Sequence, residues 1–427
     1  MKCFVSFILF CLCVPVWSIT ITAKDIGEKT LQDYICLAQS SDEKQLVLDG
    51  KDGTFVCNSA LIRYVGIDIE GINNCVIDFT PTIWIKDQTF TDIKNFSICQ
   101  AKQGRPYHLL NFYGPDYQKR LYRSYGFKFD STKTGSIKNI KIFNSQYAGV
   151  WVAYCNNVTV QNVEVGYARH AGIRVTGNTS DNIKVIRCYA HGCCDDYCLG
   201  EEADGFFYGN EGCNIYTEDC VADCNSDDGW DLYGTKGNIT FVRCIARYNG
   251  LSEEEVKNGK GAKILKDGYI PNVVMNDKTW TLCGDGNGFK LGGMGDDYVK
   301  KHTASGQTYY YGDIFLKDCI AYKNLRDGFT RNDNPSRLQF DNCSSLENSN
   351  YSYYLEVKDK YYSEYKYRLE SEMSGCFESG RKLLNRESNQ IKYKKINLKK
   401  TKENFNQVLE RMELKDLLPS GLDIDAN

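Results

Sequence analysis

The chain has 427 residues, enough for one large domain or two ordinary ones, and carries 52 basic against 55 acidic side chains for a formal net charge of −3. That near-balance argues against nucleic-acid binding through bulk charge. Tyr (30) and Phe (20) are abundant and 37 Gly stand against 7 Pro, a composition that suits strands and sugar-binding surfaces alike.

The first residues read MKCFVSFILFCLCVPVWSIT. Lys2 precedes an apolar run, and Val16 and Ser18 fit the small-residue cleavage pattern of a signal peptide, residues 1–18. The run is short for a membrane span, and no later segment has 18 uncharged apolar residues in a row. The expectation is a secreted protein, off the membrane once the signal is removed. Sequons at Asn95, Asn157, Asn178, Asn238, Asn342 and Asn350 accord with that compartment. Of 20 cysteines, Cys3, Cys11 and Cys13 lie in the signal, leaving 17. In an oxidising compartment some should pair, and the odd number leaves at least one thiol free or bridging two chains.

After the signal, runs such as QLVLDG and CVIDFT read as strands, with Leu31–Gln39 as a helix capping an open end. From about residue 135 a repeat takes over. Its members are YAGVWV, HAGIRV, ADGFFY, DDGWDLY, GNGFKL and RDGFTR, with glycines at Gly149, Gly172, Gly205, Gly229, Gly288 and Gly328. A unit of 23 or 24 residues recurs, lengthened by insertions in three turns. A second register agrees: Cys188, Cys220, Cys244, Cys319 and Cys343 each sit in a short strand, and the steps Cys220 to Cys244 and Cys319 to Cys343 are both 24 residues. Such a period with two-residue strand alternation predicts an all-β parallel β-helix, in which one coil buries its apolar face only against the next. The cysteine column should point inward as small buried hydrophobes. Disulfides fit better in HGCCDDYCLG, with Cys193, Cys194 and Cys198; zinc fits that loop poorly, His191 being the only nearby histidine. Residues 19–357 form the predicted solenoid, and the charged, helix-prone residues 358–427 cover its C-terminal end or trail from it.

The repeat brings carboxylates together. Asp204 and Asp228 each immediately precede a repeat glycine one coil apart, Asp227 adjoins Asp228, and Asp231 follows Gly229 by two. Four carboxylates at one edge of two coils call for a hard divalent cation, and calcium accepts such irregular oxygen sets. Lys290 stands two residues past Gly288, as Asp231 does past Gly229, so the two share a column if the insertion between them loops out. A lysine near a dication is a candidate general base, and its blander role is an ion pair with the aspartates.

Together ADGF, NSDDGWDLYG, GNGFKLGG and DGFTRNDNP, spread over about residues 135–355, resemble the family-nine pectate lyases. That resemblance implies a right-handed parallel β-helix with Ca2+ held by Asp204, Asp227, Asp228 and Asp231. It implies Lys290 as the base of a β-elimination on polygalacturonate, with an alkaline optimum. Arg331 departs from the family pattern and is a candidate contact for a substrate carboxylate. The implied partner is an acidic polysaccharide, and a monomer is expected. Three other readings stay open. They are a β-helix hydrolase, which would usually carry a Gly-His-Gly motif that is missing here; a lyase for another uronic-acid polymer; and a non-catalytic polysaccharide-binding solenoid.

Overall fold

The computed structural model describes residues 18–57, 60–63, 66–79, 83–86, 92–95, 97–99, 125–145, 147–195, 200–209, 214–251, 272–275, 278–281, 284–293, 312–334, 336–355, 370–385 and 392–418. The signal peptide expected over residues 1–18 falls almost wholly outside them. The described residues wind into a parallel β-helix built on one 30-stranded sheet.

The sheet has three faces. On the first, strands Phe127–Asp130, Val150–Ala153, Ile173–Thr176, Phe206–Gly209, Trp230–Asp231, Phe289–Lys290 and Phe329–Thr330 pair in that order, all parallel. The second face stacks Ile183–Ile186, Ile215–Glu218, Ile239–Val242, Ile314–Lys317 and Leu338–Asp341. The third stacks Tyr189–His191, Val221–Asp223, Ile245–Arg247 and Ile320–Tyr322. Between the second and third faces a single residue turns the chain in the left-handed region: Asn162 (φ 52°), Arg187 (50°), Asp219 (57°), Arg243 (49°), Asp318 (53°) and Asn342 (51°). Asn and Asp tolerate that conformation best among residues with a Cβ. One-residue corners keep the coil short, which is why the period survives in the sequence.

The last five of these corners each throw the following cysteine inward. Cys188, Cys220, Cys244, Cys319 and Cys343 are all buried in the core, free thiols that donate to backbone carbonyls such as Glu218 O at 3.2 Å from Cys220. The inward cysteine column is borne out. The disulfide expected in the loop with Cys193, Cys194 and Cys198 rests partly on residue 198, outside the described residues. His191, its one nearby histidine, stacks on Tyr189 at 4.5 Å.

Two further ladders fill the interior. Phe206, Trp230, Phe289, Phe329 and Tyr353 stack ring on ring at 4.6, 4.6, 4.9 and 5.1 Å. Asn225, Asn249, Asn324 and Asn348 pass one amide hydrogen bond up the column, each Nδ2 donating to the next Oδ1 at 3.0, 2.8 and 2.8 Å. Every member of these ladders repeats what its neighbour does one coil away.

Helix Leu31–Ser40 closes the N-terminal end, with Thr30 accepting from Asp33 N–H as its cap and Leu31, Ile35 and Ala38 turned into the core. At the other end the expectation needs correcting. Glu370–Asn385 and Lys392–Lys400 are strands that continue the parallel stack, not helix. Met373 and Cys376 enter the core there, and pairing with the preceding coil overrides the helical bias of the charged residues. Helix follows only at Phe405–Arg411, capped by Asn404. It lies against the outside of the third face, not over the end: Phe405 stacks on Tyr322 at 4.1 Å, and Val408 and Leu409 pack with Val221, Ile245 and Ile320.

Candidate functional site

The site stands on the first face, where the repeat glycines run. A Cβ on Gly229 would come 2.5 Å from the Gly288 carbonyl, so successive coils approach here as only glycine allows. The residue before each glycine ties its coil to the next. Asp204 Oδ1 accepts the Asp228 N–H at 3.1 Å, and Asp228 Oδ1 accepts the Asn287 N–H at 2.7 Å and its side-chain amide at 2.9 Å. Asn287 Oδ1 in turn accepts the Asp327 N–H at 3.1 Å. Each carboxylate thus spends one oxygen on the backbone and leaves the other for something else.

Trp230 pairs directly with Phe289 and Asp231 with Lys290, so the intervening insertion does loop out. Its described part is an antiparallel hairpin, Asn272–Met275 with Lys278–Thr281, in a sheet of its own. Lys290 Nζ lies 3.1 Å from Asp228 Oδ2, 3.1 Å from Asp231 Oδ2 and 3.2 Å from Asp285 Oδ2. Oxygens of Asp204, Asp228 and Asp231 lie within 4.8 Å of one another. Asp227 stands beside them, with its oxygens accepting from the N–H groups of Glu202 at 2.8 Å and Asp285 at 2.6 Å. All four predicted ligands are buried: Asp204 is 1% exposed, Asp227 6%, Asp228 0% and Asp231 6%.

Four buried carboxylates around one ammonium carry an excess of negative charge. Burial, reinforced by the neighbouring carboxylates, pushes Asp227 and Asp231 up to about 7 and Asp228 to about 8 against the pull of Lys290, and Asp204 is raised well above the usual range. Burial alone would lower Lys290, but Asp228, Asp231, Asp227 and Asp285 outweigh it and hold the ammonium well above its ordinary value. Asp228 Oδ2 accepts no aligned hydrogen bond and lies 3.1 Å from Lys290 Nζ. An all-oxygen donor set with excess charge and an oxygen left over fits a hard divalent cation of the calcium type. The cluster opens into a cleft of about 410 Å3, lined also by His170, Arg174, Glu201, Glu202, Phe207 and Tyr233.

Arg331 is not part of this cleft. It is fully buried, donating to the carbonyls of Asn334 and Ser336, both at 2.7 Å, and to Ser371 Oγ at 2.7 Å. It braces the turn after Phe329–Thr330 against a later coil, and its candidacy as a substrate contact is overturned. Sequence reasoning also missed Asp285, which Arg326 holds by an ion pair. It missed His170, Glu202 and Arg174 as well. Arg174 had a signal: it stands two residues past Gly172, the offset that identified Asp231 and Lys290.

A family model described as "Pel9A-like, right handed beta helix region" matches residues 37–365. The chain belongs to that family. The match also fixes the hand of the solenoid as right-handed. Pectate lyase L of Paenibacillus polymyxa is 29% identical over 233 residues, 51% of this chain and 43% of that one. Pectate lyase PEL9 of Emericella nidulans is 28% identical over 214 residues, covering 49% and 47%. The chain thus spans about half the length of these curated relatives. A solved structure of pectate lyase Pel9A aligns with a TM-score of 0.45 at 17% identity, over 82% of this chain and 72% of its own.

Proposed function

We propose that this protein is a calcium-dependent pectate lyase that cleaves polygalacturonate by β-elimination, with Lys290 as the base. The observation that carries the reading is the position of Lys290 Nζ, 3.1 Å from two carboxylates of a cation-type cluster on the neighbouring coil and facing an open cleft. The curated relatives named pectate lyase support it. Elimination asks for one base and charge stabilisation, not a pair of hydrolytic carboxylates.

Asp204, Asp228 and Asp231 would hold the ion, with Asp227 beside them. Calcium bound there would take up the carboxylate charge that keeps Lys290 protonated, and would stabilise the negative charge that develops on the substrate uronate. Lys290, once neutral, removes the C5 proton. The electron pair from C5 forms the C4–C5 double bond and the C4–O4 bond breaks, O4 leaving with that bonding pair and taking a proton from solvent water, so that a 4,5-unsaturated end remains. Asp227 keeps the geometry rigid by gripping the N–H groups of two coils, Glu202 and Asp285. Because the base works as a neutral amine, rate should rise toward alkaline pH. Residues 1–18, read as a signal, put this chemistry outside the cell.

The test is incubation with polygalacturonate at alkaline pH, following ultraviolet absorbance of the unsaturated product with calcium and with chelator. Expected is calcium-dependent absorbance that Lys290→Ala lowers by about 10²–10⁴-fold. Reducing ends without absorbance would mean hydrolysis. Binding of uronate polymer without any cleavage would leave a non-catalytic solenoid.

A further inference from the structure

The column that carries Asp231 and Lys290 continues upstream. At the same offset past each repeat glycine stand Lys128, Trp151, Arg174 and Phe207, in direct register from coil to coil and on to Asp231. At about 4.8 Å per coil, Arg174 is roughly 10 Å from Asp231 along the face. The column alternates cation and aromatic ring. Lys128 Nζ sits 4.3 Å from the Trp151 ring centre, and the Arg174 guanidinium 4.4 Å from that of Phe207. Tyr125 and Tyr147 flank Trp151 at 5.0 and 5.8 Å. The indole N–H donates to Thr176 Oγ1 at 2.8 Å, which fixes the ring plane.

Arg174 is the informative member. No carboxylate among the described residues pairs with it, and its buried Nε has no hydrogen-bond partner. Its closest polar neighbour is His170 Nε2 at 3.0 Å. That nitrogen carries the proton, because Nδ1 accepts the Ala171 N–H at 2.7 Å, and it donates to Glu202 at 2.9 Å. Nδ1 is then the acceptor, and it offers the guanidinium only a long 3.4 Å contact. A half-buried Arg stacked on an aromatic ring, with no carboxylate partner among the described residues, and lining the same cleft as Lys290 is built for a planar anion.

We infer that Arg174 binds a uronate carboxylate next to the cleavage site, and that Trp151, with Tyr125, Tyr147 and Lys128, carries the following sugar units. The substrate chain then lies along the first face toward the N-terminal coils, and affinity is gained on that side of the bond being cut. This rests on the uronate-polymer reading of the site.

The experiment compares wild type, Arg174→Gln, Trp151→Ala and, as a control, Lys184→Gln on the second face. Each is assayed with calcium on galacturonate oligomers of increasing length and on the polymer. Binding of polygalacturonate and of a neutral galactan is measured separately by titration calorimetry. A charge-assisted pair is worth about 1.5–3 kcal/mol, so Arg174→Gln should raise KM and Kd for the uronate polymer by about 10–100-fold. Trp151→Ala should flatten the gain of kcat/KM with chain length. Lys184→Gln should match wild type, and no variant should alter binding of galactan. Wild-type KM and Kd in both upstream variants would overturn the inference while leaving the lyase standing. Wild type that neither cuts nor binds uronate polymer would remove the functional reading, and this inference with it.

Discussion

Two sets of ladders run through this solenoid, and they differ in one respect. The cysteine, asparagine and aromatic columns stack like on like, and each member satisfies the next: amide to amide at 2.8–3.0 Å, ring over ring at 4.6–5.1 Å. The aspartates of the first face stack by the same rule, yet stacking sets charge beside like charge. Repetition stabilises a neutral column and destabilises a charged one. The cage therefore stays unbalanced until a cation arrives, whereas the other ladders are complete as the chain folds. The teaching is that one repeat can supply both a scaffold and a site, and that the site is where the repeat leaves charge unpaired.

Substitutions should separate the two. The largest loss of stability is expected from Trp230→Ala, about 3–5 kcal/mol, because it opens a hole between Phe206 and Phe289. Trp230→Phe should be tolerated, since the buried indole N–H has no hydrogen-bond partner to lose. Next comes Asn324→Ala, about 1–3 kcal/mol, which takes from Asn249 the acceptor of its backbone N–H and its side-chain amide. Both are read from denaturant midpoints, and neither should change calcium affinity. Asp228→Asn should act in the opposite sense. The amide oxygen can still accept from Asn287, while a buried charge is gone, so the calcium-free protein should melt a few degrees higher at pH 8. Calcium binding and lyase rate should fall together. A lower melting temperature in that variant would mean that the aspartate is a strut and not a strained ligand.

Much of this contrast was legible beforehand. The glycines, the cysteine corner and the shared register of Asp231 with Lys290 are periodic, and period is what a sequence displays directly. What it hid is aperiodic. Arg331 differs from its column neighbours, and its burial depends on Ser371, 40 residues on, in a strand that charge composition disguised as helix. Asp285 enters the site through the end of an insertion, so no offset from a repeat glycine announced it. Arg174 was periodic and still overlooked, because a lone arginine on a strand has no meaning until its lack of a carboxylate partner is visible.

The last expectation concerns pH. In the calcium-free protein burial and neighbouring carboxylates push Asp227 and Asp231 up to about 7 and Asp228 to about 8, against about 3.9 for aspartate in an unfolded chain. Between about pH 4 and pH 8 the native cage therefore keeps protons that the unfolded chain has released, and unfolding free energy must fall as pH rises through that window. Lys290 is charged in both states throughout, so it adds no slope. Calcium competes with those protons and binds the native state, so its stabilisation should grow over the same interval. Melting temperature measured at pH 5 and pH 8, with chelator and with calcium, gives the check. The chelated protein should lose stability toward pH 8, calcium should restore it, and Asp228→Asn should flatten both trends. An equal calcium shift at the two pH values would place the ion somewhere other than on these carboxylates.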